Sequence, residues 1–146
     1  MQAKIILESP QFRDDILISF KDLADKEMQL REWVRVGAAH RYWDSLLMDV
    51  FDTIYNDQDL HDIKECREKI GKVFYTEEEA LKIADFTIWF DLLTDGIGEC
   101  KPDSAYLNHP NWPRVWSWAG ECYKLMQEND EKYDIDASWD KWHGRV

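Results

Sequence analysis

The sequence predicts an all-α protein, a compact single-domain helical bundle of about five to seven helices with at most a token strand. Three observations predict it. Apolar residues recur at helical spacing over most of the chain. Helix-start signals at Ser9–Pro10, Asp25, Thr76–Glu79 and Asn111–Pro113 precede those periodic stretches. The 146 residues are 45% hydrophobic and 33% charged, a globular composition of one-domain length, and no repeat or low-complexity tract interrupts it.

Each element follows from local chemistry. Residues 1–9 form an N-terminal segment. Ser9 suits an N-cap and Pro10 the first helical position, where a missing N–H costs nothing. Phe12, Ile16, Phe20 and Leu23 give the first helix its apolar stripe. Asp25 caps a second helix, KEMQLREWVRV, that stops near Gly37. A third covers WDSLLMDVFDTIYND, with Leu47, Val50, Phe51 and Ile54 inward and Asp49, Asp52 and Asn56 on the opposite side. NDQDLHDIKECREKIGKVFY reads as a loop, then short turns around Ile63 and Ile70, with KVFY open to a short strand. TEEEALKIADFTIWFDLLTDGIG is the clearest helix. A Thr76/Glu79 capping box opens it, three glutamates meet its positive end, and Gly96 or Gly98 closes it. CKPDSAYLNHP reads as a loop. The last helix starts at Asn111–Pro113, and residues 130–146 read as a polar C-terminal extension carrying Trp139 and Trp142.

Charge narrows the partners. Eighteen Lys and Arg against 30 Asp and Glu leave a net charge of −12. Dispersed bases disfavour nucleic acid and anionic membrane, which need clustered cations. A cationic protein partner fits, and solubility alone is the plainer reading. Cys66, Cys100 and Cys122 are odd in number with no CxxC pair, which suits reduced thiols and a cytoplasmic location. No signal-peptide pattern and no apolar run of membrane-spanning length occurs.

The sequence offers no enzyme signature: GxSxG, HExxH, GxxxxGK[ST] and GxGxxG are all missing. Asp57, Asp59 and Glu68 match three EF-hand positions, but Asp62 stands where that loop needs glycine. Cys100, His109 and Cys122 lack zinc-finger spacing. No metal and no cofactor is expected, and no catalytic residue. What remains is binding chemistry. Asp49, Asp52, Asp57, Asp59, Asp62 and Glu65 form the densest acidic neighbourhood. A solvated face is the ordinary reading of such a run, and a surface steering a basic partner is the sharper one. Asp85 falls in an apolar arc with Leu81, Trp89 and Leu92; pairing with Lys82 is the simpler explanation, display to a cation the functional one. Trp112 and Trp116 share a helical face with Val115, Ala119 and Tyr123 and read as core. Trp118 sits at the margin of that stripe near Arg114 and Glu121, as a partner-binding ring.

The stretches QFRDDILISFKDLADKEMQLREWV, LLMDVFDTIYNDQDL, IGKVFYTEEEA and PDSAYLNHPNWPRVWSWA, within about residues 10 to 129, resemble in order a family of small, largely uncharacterised bacterial helical proteins. Proteins of that kind look like immunity proteins of toxin systems, contact-dependent growth inhibition first among them. The resemblance implies a non-enzymatic cytoplasmic inhibitor of a cationic, nuclease-type toxin domain, and defines no catalytic residues. The alternative is a regulatory or structural interaction module, self-associating or not, without a toxin. Oligomeric state stays open.

Overall fold

A computed structural model describes residues 5–33, 46–98 and 101–133. Seven helices and no β-strand make up these residues, an all-α fold. In chain order they are α1 (Pro10–Ala24), α2 (Lys26–Met28, widening into a π-helix over Gln29–Trp33), α3 (Leu46–Phe51, widening likewise over Asp52–Asp57), α4 (Ile63–Glu68), α5 (Glu77–Ile97), α6 (Asp103–Leu107) and α7 (Trp112–Tyr133). No helix among them is long and apolar enough to cross a membrane.

Helix α1 packs along α7 in the most extensive helix pair, and α5 contacts both α4 and α7. That double contact explains the burial along α5: Ala80, Ile83, Ala84, Phe86, Thr87, Phe90 and Thr94 cover more than one stripe. Phe86 stacks on Phe90 at 5.2 Å and meets Phe20 edge-on at 5.2 Å, which ties α5 to α1. Helix α7 buries Trp112, Val115, Ala119, Cys122, Met126 and Asn129, a seven-residue alternation of three and four.

Several sequence expectations need correction. Ser9 precedes α1, but its side chain makes no capping bond; its carbonyl accepts from the Phe12 and Arg13 amides instead. Phe12 is 45% exposed, and the inward position one residue later belongs to Arg13. Asp25 does cap α2, accepting from the Met28 amide at 3.0 Å, while the predicted stop near Gly37 lies outside the described residues. KVFY forms a turn with one isolated bridge, Ile70 to Phe74, and no strand. CKPDSAYLNHP holds a helix, α6, because Asp103, Tyr106 and Leu107 present one buried face. Asp103 also accepts from the Leu47 amide at 3.4 Å, so α6 abuts the start of α3.

Residues 130–133, read as the start of a polar extension, belong to α7. Helix α7 runs to Tyr133 because Asp130 pairs with Arg13 at 2.8 Å and Tyr133 packs on Tyr75 at 5.6 Å. Trp139 and Trp142 lie outside the described residues.

Two buried polar centres hold the bundle. At the first, all five guanidinium protons of Arg13 are spent. Nε bonds Asp130, Nη1 bonds Val73 O and Glu79 Oε1, and Nη2 bonds Met126 O and Glu79 Oε2. Burial opposes the Arg13 charge, but Glu79 and Asp130 outweigh it and raise the guanidinium above its ordinary pKa. Glu79 also accepts from Tyr75 N at 3.2 Å and Asn129 Nδ2 at 2.7 Å. So only half of the predicted capping box forms: Thr76 Oγ1 accepts from Glu79 N, while the Glu79 carboxylate turns inward to Arg13.

At the second centre Gln29, fully buried, donates to the Asp22 and Leu23 carbonyls. Its Oε1 accepts from the indoles of Trp112 at 2.9 Å and Trp116 at 2.7 Å. Trp112 is core as expected. Trp116 is only half-buried, because its ring leans toward this hydrogen bond and lies under Lys26 at 5.1 Å.

Candidate binding surface

Helix α3 carries the first acids of the predicted neighbourhood, and it separates two clefts. One cleft, of about 220 Å³, lies between α3, the C-terminal half of α5 and α6; Phe51, Tyr55 and Tyr106 form its apolar walls, and Asp52, Asp91 and Asp95 its acids. The other, of about 430 Å³, lies between α1, α2 and α3; Ile18, Met28, Trp33 and Val50 line it, together with Asp15, Asp22, Glu32 and Asp49. None of the described residues lining either cleft is a lysine or arginine.

The widened last turn of α3 sets this geometry. Thr53 donates its hydroxyl to the Asp49 carbonyl at 3.1 Å, and the Gln58 amide reaches back five residues to Thr53 O at 3.0 Å. A hydroxyl competing for a helix carbonyl favours such a wide turn. Within it, Asn56 Nδ2 donates to Asp52 at 2.8 Å, which fixes that carboxylate at the cleft mouth. Tyr55 turns inward and donates to Thr87 O on α5 at 2.6 Å. Burial, then the charges of Asp91, Cys66 and Asp95, push the Tyr55 phenol above its ordinary pKa. Tyr106 donates to Gly98 O at 2.6 Å and closes the far end.

In the second cleft, burial raises the Asp22 carboxyl above the usual carboxylate value; Lys21 opposes the shift and Asp25 adds to it.

The predicted residues divide into four groups. Asp49 and Asp52 line the two clefts, one on each side of α3. Asp57 and Asp59 are exposed just beyond them, Asp59 in the left-handed region at φ 53° and 3.9 Å from His61, which itself lines the first cleft. Asp62 caps α4 by accepting from the Glu65 amide at 2.8 Å, and Glu65 is half-buried. Asp85 and Trp118 belong elsewhere and line neither cleft. Asp85 is exposed on α5, with no ion pair to Lys82; the apolar arc around it is the outer edge of the helix, where Leu92 is 67% exposed. Trp118 packs on Phe86 at 5.8 Å and Trp89 at 5.2 Å, and Arg114 lies 5.1 Å from both indole rings. This half-buried stack is a second aromatic surface, separate from the acidic one.

Sequence reading missed Asp91, Asp95 and Tyr106 in the first cleft and Asp15, Asp22 and Glu32 in the second. Asp91 and Asp95 carried a signal: they are four residues apart near the C-terminal end of the best-marked helix, where acids oppose the macrodipole. The others depend on which helices meet.

No group of three His, Cys, Asp or Glu among the described residues is placed to hold a metal ion. Cys66 and Cys122 are buried and unpaired with each other, and Cys100 lies outside the described residues. No curated protein and no solved structure matches the chain. A family described as a domain of unknown function, DUF7945, matches residues 7–134, nearly the whole chain, and the chain belongs to it.

Proposed function

We propose that this protein is a non-enzymatic immunity protein that binds and neutralises a basic toxin domain through the acidic clefts beside α3. The observation that carries the reading is the pair of acid-rimmed, partly apolar clefts with no lysine or arginine among the described residues of their walls. Carboxylates over apolar walls match the long aliphatic stems and charged heads of basic residues. A net charge of −12 adds long-range steering toward such a partner. The protein works in the cytoplasm on this reading, where a toxin domain acting on nucleic acid would have to be blocked.

The test is capture of the product of the adjacent upstream gene, followed by growth protection in cells producing that product. The expected result is retention of a basic C-terminal domain and protection from it. Simultaneous Asp-to-Lys changes at Asp49, Asp52, Asp57 and Asp59 should abolish both without loss of helical circular dichroism, since all four side chains are exposed. Full protection by that variant would reduce the acidic face to solvated surface.

A different reading, a self-associating interaction module, draws on the outer edge of α5, where Leu92 is 67% exposed one turn from Trp89. It predicts a stable dimer in sedimentation without any partner.

A further inference from the structure

The first cleft has features that an acidic surface does not need. Its acids come from two helices, Asp52 on α3 and Asp91 and Asp95 on α5, and its walls are the rings of Phe51, Tyr55 and Tyr106. The α5 acids sit at an electrostatic disadvantage. Asp95 lies in the last turn of α5, at the negative end of the macrodipole, and that turn contains no basic residue. The first turn of the same helix is conventional, with three glutamates at the positive end. The helix thus carries acids at both ends, and those at the second end oppose its own stability.

A cation bound in the cleft would offset that disadvantage, and the shape of the cleft selects its kind. The carboxylates line a cleft of about 220 Å³ and do not converge on a point where one metal ion could sit. An extended organic cation fits such spacing better than a metal ion. Aromatic walls favour a flat cation, because a guanidinium stacks on ring faces and offers donors in several directions, whereas an ammonium is a strongly hydrated point charge. Asp52, held by Asn56, faces this space from across the cleft, so carboxylates stand on both sides of it.

We propose that the cleft between α3 and the C-terminal half of α5 is a pocket for a single arginine side chain of a basic protein partner, its guanidinium lying among Phe51, Tyr55 and Tyr106 and bonding Asp52, Asp91 and Asp95. This deepens the binding reading above and rests on it for the source of the arginine. The pocket itself is testable without any toxin.

The probe is the peptide acetyl-Gly-Arg-Gly-amide, with its lysine and citrulline counterparts, titrated into the full chain and followed by amide NMR shifts. The arginine peptide should shift the amides of Tyr55, Asp91, Asp95 and Gly98 in a saturable, salt-sensitive way. Lysine should bind several-fold more weakly, and citrulline, which is nearly isosteric but neutral, should leave them unmoved. The Asp91→Asn/Asp95→Asn variant, changed at exposed positions only, should weaken the arginine peptide by about tenfold or more. Equal response to citrulline or lysine, shifts centred on another part of the protein, or no shift up to the solubility limit would overturn the assignment. A protein whose cleft takes the arginine peptide but which protects from no toxin would retain the pocket and lose the immunity reading. Protection and toxin binding left intact in the Asp91→Asn/Asp95→Asn variant would do the reverse.

Discussion

Replacing Glu79 by alanine should be among the most damaging single changes in this protein. Glu79 is fully buried and Arg13 is 2% exposed. Alanine would leave the guanidinium in the interior with one carboxylate, Asp130, in place of two, and would strip the Tyr75 amide and the Asn129 side chain of their acceptor. Breaking a buried ion pair from one side costs about 3–5 kcal/mol, against a whole-domain stability of about 5–15 kcal/mol. For a chain of this size that corresponds to a fall in Tm of roughly 6–20 °C. Removing both charges, as Arg13→Leu with Glu79→Leu, should cost less than Glu79→Ala alone, because no bare charge remains inside. Urea denaturation followed by tryptophan fluorescence measures all three proteins. A loss below about 1 kcal/mol for Glu79→Ala, or a double variant weaker than the single, would refute the view that pairing and not bulk holds this centre.

Four further outcomes follow from the same geometry. Gln29→Leu should cost about 2 kcal/mol or more in urea denaturation, since the buried Trp112 indole and two carbonyls lose their partner. Trp112→Ala should lose about 3–5 kcal/mol, while Trp118→Ala, at a half-buried ring, should cost less and stay folded. Asp95→Asn should raise Tm slightly, because it removes a like charge from the negative end of α5. Burial pushes the Cys66 and Cys122 thiols up to about 12. The native protein should therefore resist alkylation at both near neutral pH. The stability tied to these thiols is fully present below their ordinary value of 9.0 and is lost as pH rises through about 12, which alkaline denaturation curves will show.

How far the sequence could be read depends on how local the determining physics is. Helix α5 was legible because Thr76, the three glutamates and Gly98 mark both its ends within its own residues. Helix α6 was not, since five residues give too short a period and its stability comes from packing Tyr106 and Leu107 inward. Arg13 hid in the apolar stripe of α1, where pattern reading placed Phe12 inward, because its partners lie on Val73, Glu79, Met126 and Asp130, far along the chain. The acidic half of the candidate surface was visible in the sequence as Asp49 and Asp52, although they line clefts on opposite sides of α3 and do not share one face. Its other walls were not, because which side of α5 and which end of α1 meet α3 is settled only by packing. The three tryptophans show both cases: Trp112 follows from periodicity, whereas the lean of Trp116 toward Gln29 and the stacking of Trp118 with Arg114 depend on neighbours.

The central claim is that the clefts beside α3, and not net charge alone, bind a basic partner. Titration calorimetry with the captured basic domain compares two variants of equal charge. One carries lysine at Asp49, Asp52, Asp57 and Asp59. The other carries lysine at Glu78, Glu121, Glu128 and Glu131, exposed acids on α5 and α7 that line neither cleft; the first three border a separate mixed-charge groove. Binding should disappear in the first and survive in the second with only modest weakening. Equal loss in both would contradict it.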